Sequence, residues 1–492
     1  MRPAFDALFD PRGVLVAGAS THPGKFGFVA LHNILASGYA GRVFATNLEG
    51  GEILGVPVAT SVDDLPDGAI DLAFVCTPPA ANVELLEACA RKGVRAAFVT
   101  TAGYGEAGPD GKDREKELVA TAERLGILLA GPNGQGVVST PSSLCAQIVA
   151  PFPPRGAIGL ASQSGNFVSS FQNYAVQTGI GISRAVSAGN AAAVGVVDYL
   201  AYYADDPETA VGLAYVEGIG GDDLAPGAAL FRRLREITER MPLVVLKGGA
   251  TAGGQRAAAS HTGSLAADDR VFDGACRQAG VTRAATVEEA FEAAATFATQ
   301  PLPRGPRVAV VTTAGGWGVV TADAITRSEL ELVRLPDDLR AAIDAKLPPR
   351  WSRNNPIDLA GGETRDTIPE VLELVASHPD VDAVVYLGLG IQSNQARMMR
   401  EGPFHPDHGL ERIVAYHERQ DARFARAAAD VSQATGKPVL TATELAVASP
   451  DNPGPRTVRE TNRLCYAASN RAVTALEHLW RHARWRLRRD LT

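Results

Sequence analysis

Three times along the chain, a short apolar run passes into a glycine-rich turn and then into a helical pattern. The runs cover residues 13–17, 157–161 and 307–311, and the turns after them contain Gly18, Gly165 and Gly316. Such strand, turn and helix units are typical of parallel sheets covered by helices. Because the turns recur about every 150 residues, and Pro-rich segments lie at 151–156 and 301–306, we predict an α/β protein with domains at 1–150, 151–300 and 301–492.

The composition disfavours several classes of binding partner and of site. The 492 residues carry a formal net charge of −8, which disfavours a nucleic-acid partner, and the basic segment 481–489 is expected to be an exposed helix face. The five cysteines are scattered without a CxxC pair, which favours a reducing compartment over a disulfide framework or a zinc site. No signal peptide or apolar stretch of membrane-spanning length is present, so we expect a cytoplasmic protein without a membrane partner.

The first domain has the pattern of a Rossmann-type nucleotide-binding domain. Its first strand runs into Gly18, and a helix begins after Lys25 and Gly27, which places free N–H groups where a phosphate is favoured. A later strand at 71–76 ends in a proline pair at the carboxyl edge of the predicted sheet. Glu49 keeps NAD possible as a ligand, whereas Lys25 favours a ligand richer in phosphate.

A histidine in the second domain has the surroundings of a phosphoryl carrier. His261 lies among Ser260, Thr262 and Gly263, downstream of an apolar strand at 242–246. A lone histidine in such a loop is most often only a surface residue. A neutral imidazole can nevertheless attack phosphorus, and neighbouring hydroxyl and N–H groups can hold the transferred group.

Two further positions complete this hypothesis. Glu217 follows the strand at 209–216, where it is either a solvated loop residue or a partner that fixes the tautomer of His261. Ser162, Ser164 and the N–H of Gly165 precede a helix and are expected to hold phosphoryl oxygens.

The third domain contains a segment at 392–433 that is rich in arginine and histidine. Its histidines His405, His408 and His417 are irregularly spaced and have no nearby cysteine. We therefore predict no metal ligands in the chain and interpret this segment as a charged helical insertion.

Several motifs together resemble the alpha part of the NDP-forming acyl-CoA synthetases, the ADP-forming acetate–CoA ligases related to succinyl-CoA synthetase. The matching motifs, in the order of that family, are residues 18–20, 25–27, 76–79, 162–166, 187–190, 215–219, 246–249, 260–265, 314–318 and 355–359. The resemblance implies a CoA-binding Rossmann-type domain followed by two flavodoxin-like domains, of which the last is a ligase-CoA domain.

The resemblance also implies functional residues and a reaction. His261 becomes the phosphorylated catalytic residue, and Glu217 positions it. The implied CoA-binding residues are Gly18, Ser20, Lys25, Gly27, Thr77, Pro78 and Pro79, and the implied phosphate-binding residues are Ser162, Ser164, Gly165, Asn166, Gly189 and Asn190. The implied reaction is acid + CoA + ATP ⇌ acyl-CoA + ADP + phosphate, through an acyl phosphate and a phosphohistidine. No ATP-grasp motif follows the third domain, so we expect Mg-ATP or ADP to bind a separate beta subunit in a hetero-oligomer.

Two other functions stay open at this point. A CoA-binding regulatory protein of the same fold would have lost turnover, although His261, Glu217 and Ser164 are all present. An NAD-dependent dehydrogenase built on the first domain would leave the His261 loop and the Pro78-Pro79 turn without a role.

Overall fold

The computed structural model describes residues 2–149, 151–217, 226–256, 269–361 and 366–491. Within these ranges the chain forms two compact units. Unit 1 comprises Met1–Gln177 and Gly181–Ala290, and unit 2 comprises Thr178–Ile180 and Phe291–Thr492. Unit 1 contains two sheets of seven strands, and unit 2 contains one sheet of six.

The first sheet of unit 1 has the strand order of a Rossmann domain. Its strands are β1 (Gly13–Ala17), β2 (Arg42–Thr46), β3 (Gly51–Ile53), β4 (Val56–Ala59), β5 (Leu72–Val75), β6 (Ala96–Val99) and β7 (Leu128–Ala130). They lie in the order β3-β4-β2-β1-β5-β6-β7, and only the β3–β4 pair is antiparallel. The chain leaves β1 for β2 on one side and later returns to β5 on the other, which creates a switch point where ligands bind.

Four helices accompany this sheet. They are α1 (Arg2–Phe9), α2 (Phe26–Ala36), α3 (Asn82–Arg91) and α4 (Pro109–Leu125). The longest, α4, shows why these segments are helical: Pro109 occupies the first turn, where its missing N–H costs nothing, and Gly126 ends the helix in a left-handed conformation.

Asp71 braces the amino edge of the first sheet. Its buried carboxylate accepts hydrogen bonds from the backbone N and the side chain of Arg12, at 2.8–2.9 Å, and from Arg95 at 2.9 Å. Burial raises the pKa of this carboxyl, but the hydrogen bonds outweigh burial and hold the pKa well below its usual range. The residues that precede β1, β5 and β6 are thereby tied together.

The second sheet of unit 1 has a flavodoxin-like parallel part. Its strands are β8 (Gly136–Ser139), β9 (Leu144–Gln147), β10 (Arg155–Ser162), β11 (Ile182–Ser187), β12 (Val211–Val216), β13 (Leu243–Lys247) and β14 (Thr282–Ala284). The order is β14-β13-β12-β10-β11-β8-β9, with β8 and β9 antiparallel. The parallel strands thus follow the 2-1-3-4-5 order, with a switch point between β10 and β12. The accompanying helices are α5 (Gly165–Thr178), α6 (Val196–Tyr203), α7 (Pro226–Arg240) and α8 (Asp269–Ala279).

A buried arginine fastens this sheet to the start of the chain. The side chain of Arg184, on β11, is 4% exposed and donates to Asp206 Oδ2 at 3.0 Å and to Asp10 at 2.7 and 2.8 Å. It also contacts the hydroxyl of Ser139 on β8. Because buried charges are tolerated only when paired, this network holds strand β11, strand β8 and the end of α1 in one arrangement.

Unit 2 contains a second flavodoxin-like sheet. Its strands are β15 (Arg307–Thr312), β16 (Glu331–Leu332), β17 (Ile357–Asp358), β18 (Ala383–Leu387), β19 (Val439–Ala442) and β20 (Cys465–Tyr466). All pair in parallel in the order β16-β15-β18-β19-β20, and β17 pairs with β15. Asp382 accepts from the backbone N and the side chain of Arg307, so the amino edge is braced in the same way as in the first sheet.

The remaining helices surround this third sheet or lead into it. They are α9 (Val287–Thr299), α10 (Gly315–Thr326), α11 (Asp337–Asp344), α12 (Thr367–Ser377), α13 (Ile391–Glu401), α14 (Leu410–Thr435), α15 (Leu445–Ala448), α16 (Pro453–Glu460) and α17 (Ser469–Leu487). The predicted charged helical segment at 392–433 falls on α13 and α14. Among the helices of the described ranges, none combines the length and the apolar character needed to cross a bilayer.

The predicted fold class is confirmed by these strand orders: one Rossmann-type sheet and two flavodoxin-like sheets. The division at residues 150 and 300 stays a prediction. One detail differs from it, because β8 and β9, which precede residue 150, pair with the second sheet and not with the first.

The Arg184 network supports a stability prediction. We expect Arg184→Met to lower the free energy of unfolding by about 3 kcal/mol, because Asp206 would be left buried without its charge partner. Arg155→Met is the matched control, since Arg155 on β10 pairs with Glu208 at the surface and should contribute less than about 1 kcal/mol. Urea unfolding of both variants measures the difference, and equal losses would contradict the assigned role.

Candidate active site

The carboxyl edges of both sheets in unit 1 border one cleft with a volume of about 740 Å³. Loops that follow β6, β7, β10, β11 and β12 line it. The lining includes six residues predicted from the sequence, namely Ser164, Gly165, Asn166, Gly189, Asn190 and Glu217. These positions are far apart in the chain, and parallel topology brings them together because the carboxyl ends of parallel strands share one edge.

Glu217 lies directly after β12 and is 8% exposed. Its backbone N donates to Gln163 Oε1 at 2.6 Å, and the hydroxyl of Tyr215 donates to its Oε1 at 3.2 Å. The ring of Tyr215 is stacked on Phe167, with centroids 3.9 Å apart. The carboxylate is therefore held in a defined position at the switch point between β10 and β12, where it can orient a second polar group.

The turn after β10 leads into the first residue of α5. The hydroxyl of Ser162 donates to the carbonyl of Ser164 at 2.6 Å and accepts from the Ser164 N–H at 3.1 Å. Ser162 is buried and does not line the cleft, so its predicted phosphate contact stays a prediction, whereas its observed role is to shape the turn. Ser164 and Gly165 do line the cleft, and a Cβ on Gly165 would lie 2.2 Å from Gln135 Cδ. A helix that begins at the wall of a cleft favours an anion there.

Two glutamates, Glu106 and Glu115, line the cleft together with Lys112. Asn190 donates from Nδ2 to Glu106 at 2.5 Å and to Glu115 at 2.7 Å, while its Oδ1 accepts from Asn133 Nδ2 at 3.2 Å. Burial raises the pKa of Glu106, but hydrogen bonds from Asn190 and the Gly103 N–H outweigh burial and bring that pKa below its ordinary value. Glu106 is therefore ionised at neutral pH, which favours phosphate at the start of α5, and the predicted phosphate contact of Asn190 stays a prediction.

The predicted CoA residues cluster at the switch point of the first sheet. Gly18 has φ +82°, and a Cβ there would lie 3.0–3.1 Å from the backbone of Cys76 and Thr77. A Cβ on Gly27 would lie 2.0 Å from the carbonyl oxygen of Gly18, so α2 packs directly on the turn. Helix α2 begins at Phe26 without a side-chain cap, and this leaves its first N–H groups available to an anion.

The other predicted CoA residues are nearby in the fold but outside the cleft lining. Lys25 is exposed at the start of α2, and Ser20 Oγ accepts from the N–H of His22 at 3.1 Å. Thr77 donates to Asn82 Oδ1 at 2.6 Å, and Pro79 opens a single helical turn after Pro78. Phe26 on α2 is the neighbour of Lys25 that lines the cleft.

His261 lies outside the described residues, so its predicted role stays a prediction. Residues that precede and follow its segment are tied to one another: Lys247 Nζ, at the end of β13, is 3.5 Å from Asp269 Oδ1 at the start of α8. Arg283 holds the same carboxylate at 2.7 and 2.8 Å.

Comparisons with known proteins agree with this geometry. Three family models match the chain in sequence order: a CoA binding domain at residues 12–140, a succinyl-CoA ligase like flavodoxin domain at 155–297 and a ligase-CoA domain at 308–392. The alpha subunit of acetate–CoA ligase [ADP-forming] I from Pyrococcus furiosus is 35% identical over 388 residues, which cover 78% of this chain and 82% of that protein.

The chain belongs to the ADP-forming acyl-CoA synthetase family.

Other relatives extend this result. An acetyl-coenzyme A synthetase from Ca. Korarchaeum cryptofilum, solved in complex with phosphate and ADP, shares 30% identity and a TM-score of 0.83, with 99% of this chain and 98% of that chain covered. Acetate–CoA ligase [ADP-forming] I from Archaeoglobus fulgidus is 35% identical over 77% of this chain but only 54% of its own length. These relatives are acid–thiol ligases, so the family and the enzyme class predicted from the motifs are confirmed.

In this acyl-CoA synthetase, several cleft residues were not predicted from the sequence. Glu106, Glu115, Asn133 and Gln135 belong to this group. All but Glu115 belong to the glycine-rich segments 103–106 and 131–136, and only the fold shows that these segments line the same cleft as Gly165.

The structure also bears on a nucleophilic cysteine and on a metal site. Burial raises the pKa of the Cys76 thiol, next to Thr77, to about 12, so this thiol stays protonated at neutral pH and is no nucleophile. Within the described ranges, no three His, Cys, Asp or Glu side chains are placed to hold a metal ion.

The contact between α2 and the Gly18 turn supports a second prediction. We expect Gly27→Ala to lower the free energy of unfolding by about 1–3 kcal/mol, since its Cβ would overlap the Gly18 carbonyl oxygen. Gly274→Ala, within α8, is the control: its Cβ meets nothing within 4 Å, and we expect a gain of about 0.5–1 kcal/mol. Urea titrations compare the two, and an undiminished stability of the Gly27 variant would refute the close contact.

Proposed function

We propose that this chain is the alpha subunit of an ADP-forming acyl-CoA synthetase that converts a small carboxylic acid, CoA and ATP into acyl-CoA, ADP and phosphate, reversibly. The observation that carries the proposal is the cleft that Glu217 and the start of α5 both line. Glu217 offers a fixed carboxylate, and the start of α5 offers N–H groups and the Ser164 hydroxyl, which suit a phosphoryl group.

The chemistry requires a phosphoryl carrier. A carboxylate resists attack by a thiol until one of its oxygens is phosphorylated, because only the acyl phosphate carries a good leaving group. In the proposed sequence, His261 takes the γ-phosphoryl group of ATP and releases ADP, then passes the group to the acid to form an acyl phosphate. The thiol of CoA next attacks the acyl carbon, and phosphate leaves.

The residues predicted from the sequence have distinct parts in this reaction. Glu217 accepts a hydrogen bond from one ring nitrogen of His261 and leaves the other nitrogen as the nucleophile. Gln163 and Tyr215 hold Glu217 in place. Ser164, Gly165 and Asn166 receive the phosphoryl oxygens at the N-terminus of α5, with Ser162, Gly189 and Asn190 as the other proposed phosphate-binding residues.

CoA is proposed to bind at the first sheet. The uncapped N-terminus of α2 and the exposed ammonium of Lys25 suit a phosphate of CoA, and the turns at Gly18 and at 77–79 form the floor. The proposed CoA-binding residues are those predicted from the sequence: Gly18, Ser20, Lys25, Gly27, Thr77, Pro78 and Pro79. We also propose the three-domain organisation at 1–150, 151–300 and 301–492.

The nucleotide is proposed to bind a separate ATP-grasp beta subunit, as Mg-ATP or ADP. Relatives support this part: the chain covers 82% of a protein named as an alpha subunit, but 54% of a relative whose name carries no subunit. The reaction then requires a hetero-oligomer, and we propose a cytoplasmic enzyme.

Phosphorylation of the histidine is directly measurable. With the cognate beta subunit, Mg²⁺ and radiolabelled ATP, we expect an acid-labile, alkali-stable phosphate on the wild-type chain and none on His261→Asn. Glu217→Gln should acquire the label about 100-fold more slowly, because the imidazole loses its orienting partner. His417→Asn is the matched control and should label normally. A label that persists on His261→Asn, or a wild type that stays unlabelled with an active partner, refutes the carrier role and favours a regulatory CoA-binding protein.

Binding of CoA is testable without the partner. In calorimetry with the purified chain, CoA should bind, and Lys25→Ala should weaken it roughly tenfold, the size expected for one hydrogen bond to a charged group. Lys116→Ala removes an equally exposed ammonium on α4, which pairs weakly with Asp113, and should leave the affinity unchanged. Binding of NAD in place of CoA would instead support a dehydrogenase.

A further inference from the structure

Unit 2 contains a groove that the proposed reaction does not use. Helices α13, α14 and α16 form its walls, and its volume is about 1130 Å³. We call it the arginine groove because six arginines line it: Arg397, Arg400, Arg419, Arg423, Arg426 and Arg456. The family model for the ligase-CoA domain ends at residue 392, so almost all of the groove lies beyond that match.

The charge of the groove is opposite to that of the chain. Glu418 and Asp451 are the only carboxylates among its lining residues, against six guanidinium groups, whereas the whole chain has a net charge of −8. Three of the arginines, at 419, 423 and 426, follow i, i+4 and i+7 spacing on α14 and so lie on one face of that helix. Like charges on one face repel each other. Arg423 and Arg426 have carboxylate partners in Asp366 and Glu460, at 2.5 and 3.7 Å, so an anion is favoured mainly beside Arg419.

Five of the six arginines form ion pairs that are partly exposed to solvent. Arg400 approaches Glu418 at 2.6 Å, and Arg423 approaches Asp366 at 2.5 Å. The other three pairs are longer: Arg426 and Arg456 approach Glu460 no closer than 3.7 Å, and Arg397 is 4.0 Å from Glu401. Arg419 forms no ion pair with any residue of the described ranges. Exposed pairs of this kind contribute about 0–1 kcal/mol, so the guanidinium groups can turn to a ligand at little cost.

Two uncharged side chains, Gln420 and Tyr416, also line the groove. Gln420 is 5% exposed, and its Oε1 has no hydrogen-bond partner among the described residues, although buried polar atoms are usually paired. Tyr416 lines the same groove and provides an aromatic ring. A ligand with a donor group and a flat ring would satisfy both positions.

We propose that the arginine groove binds a nucleoside di- or triphosphate. Guanidinium groups hold phosphates through paired N–H donors, Tyr416 stacks on the base, and Gln420 Oε1 accepts from a hydroxyl or amino group of the nucleoside. The groove is large enough, since small-molecule sites measure about 300–1,000 Å³. The proposal concerns unit 2 alone and holds whether or not the chain forms a phosphohistidine.

Calorimetry of the full chain without its partner tests this site, with ADP and inorganic pyrophosphate as probes and saturating CoA present to occupy unit 1. We expect ADP to bind the wild type and to bind Arg419→Gln roughly tenfold more weakly. Arg334→Gln is the matched control: Arg334 is also exposed and without an ion pair in the described ranges, but it lies outside the groove, and its variant should match the wild type. Tyr416→Ala should weaken the binding of ADP but not the binding of pyrophosphate.

Three results would overturn the proposal. They are no binding of ADP at millimolar concentration, equal affinities for the Arg419 and Arg334 variants, and binding of ADP that is seen only when CoA is left out. If Arg419→Gln instead weakens association with the beta subunit or with RNA while ADP fails to bind, the groove is a macromolecular interface and the nucleotide proposal is wrong. Urea unfolding of each variant confirms that the fold is retained.

Discussion

The hydrogen bond from the Glu217 backbone to the side chain of Gln163 is the contact on which the site geometry depends. It joins the residues that follow β12 and β10, the two strands on either side of the switch point. The N–H of Gln163 also donates to the carbonyl of Tyr215 at 3.1 Å, so two hydrogen bonds join the turn at Ser164 to the segment that carries Glu217. Together they hold an acidic group and the start of α5 at one cleft.

The fold could be predicted from the sequence to a large extent. Each glycine turn follows a continuous apolar run, and only a parallel strand buried on both faces needs such a run. The turn at Gly18 was recognisable because a helix that packs directly on a strand end excludes a Cβ, as the contact with Gly27 shows. The antiparallel strands β8 and β9 were not predicted, because the pairing of β8 with β11 depends on contacts between residues about 45 apart in the chain.

The site was only partly predictable, for a similar reason. Ser164, Gly165 and Glu217 were found because each lies at a strand end, which is a local property of the sequence. Glu106 and Glu115 lie at the cleft together with Asn190, which follows a strand of the second sheet and donates to both, and no local pattern predicts this contact. The arginine groove was interpreted as a charged helical insertion: spacing within α14 predicts a basic face, but nothing local predicts that Arg397 and Arg456 face the same space.

The aspartate braces have a consequence for how substitutions combine. Asp71 and Asp382 fasten the amino edges of their sheets, whereas the glycine turns lie at the carboxyl edges, one strand length away or about 16 Å for five residues. Free-energy changes at sites this far apart are additive when they share no partner. The two edges can therefore be altered independently, so substitutions can change the stability of the fold without changing the chemistry of the cleft.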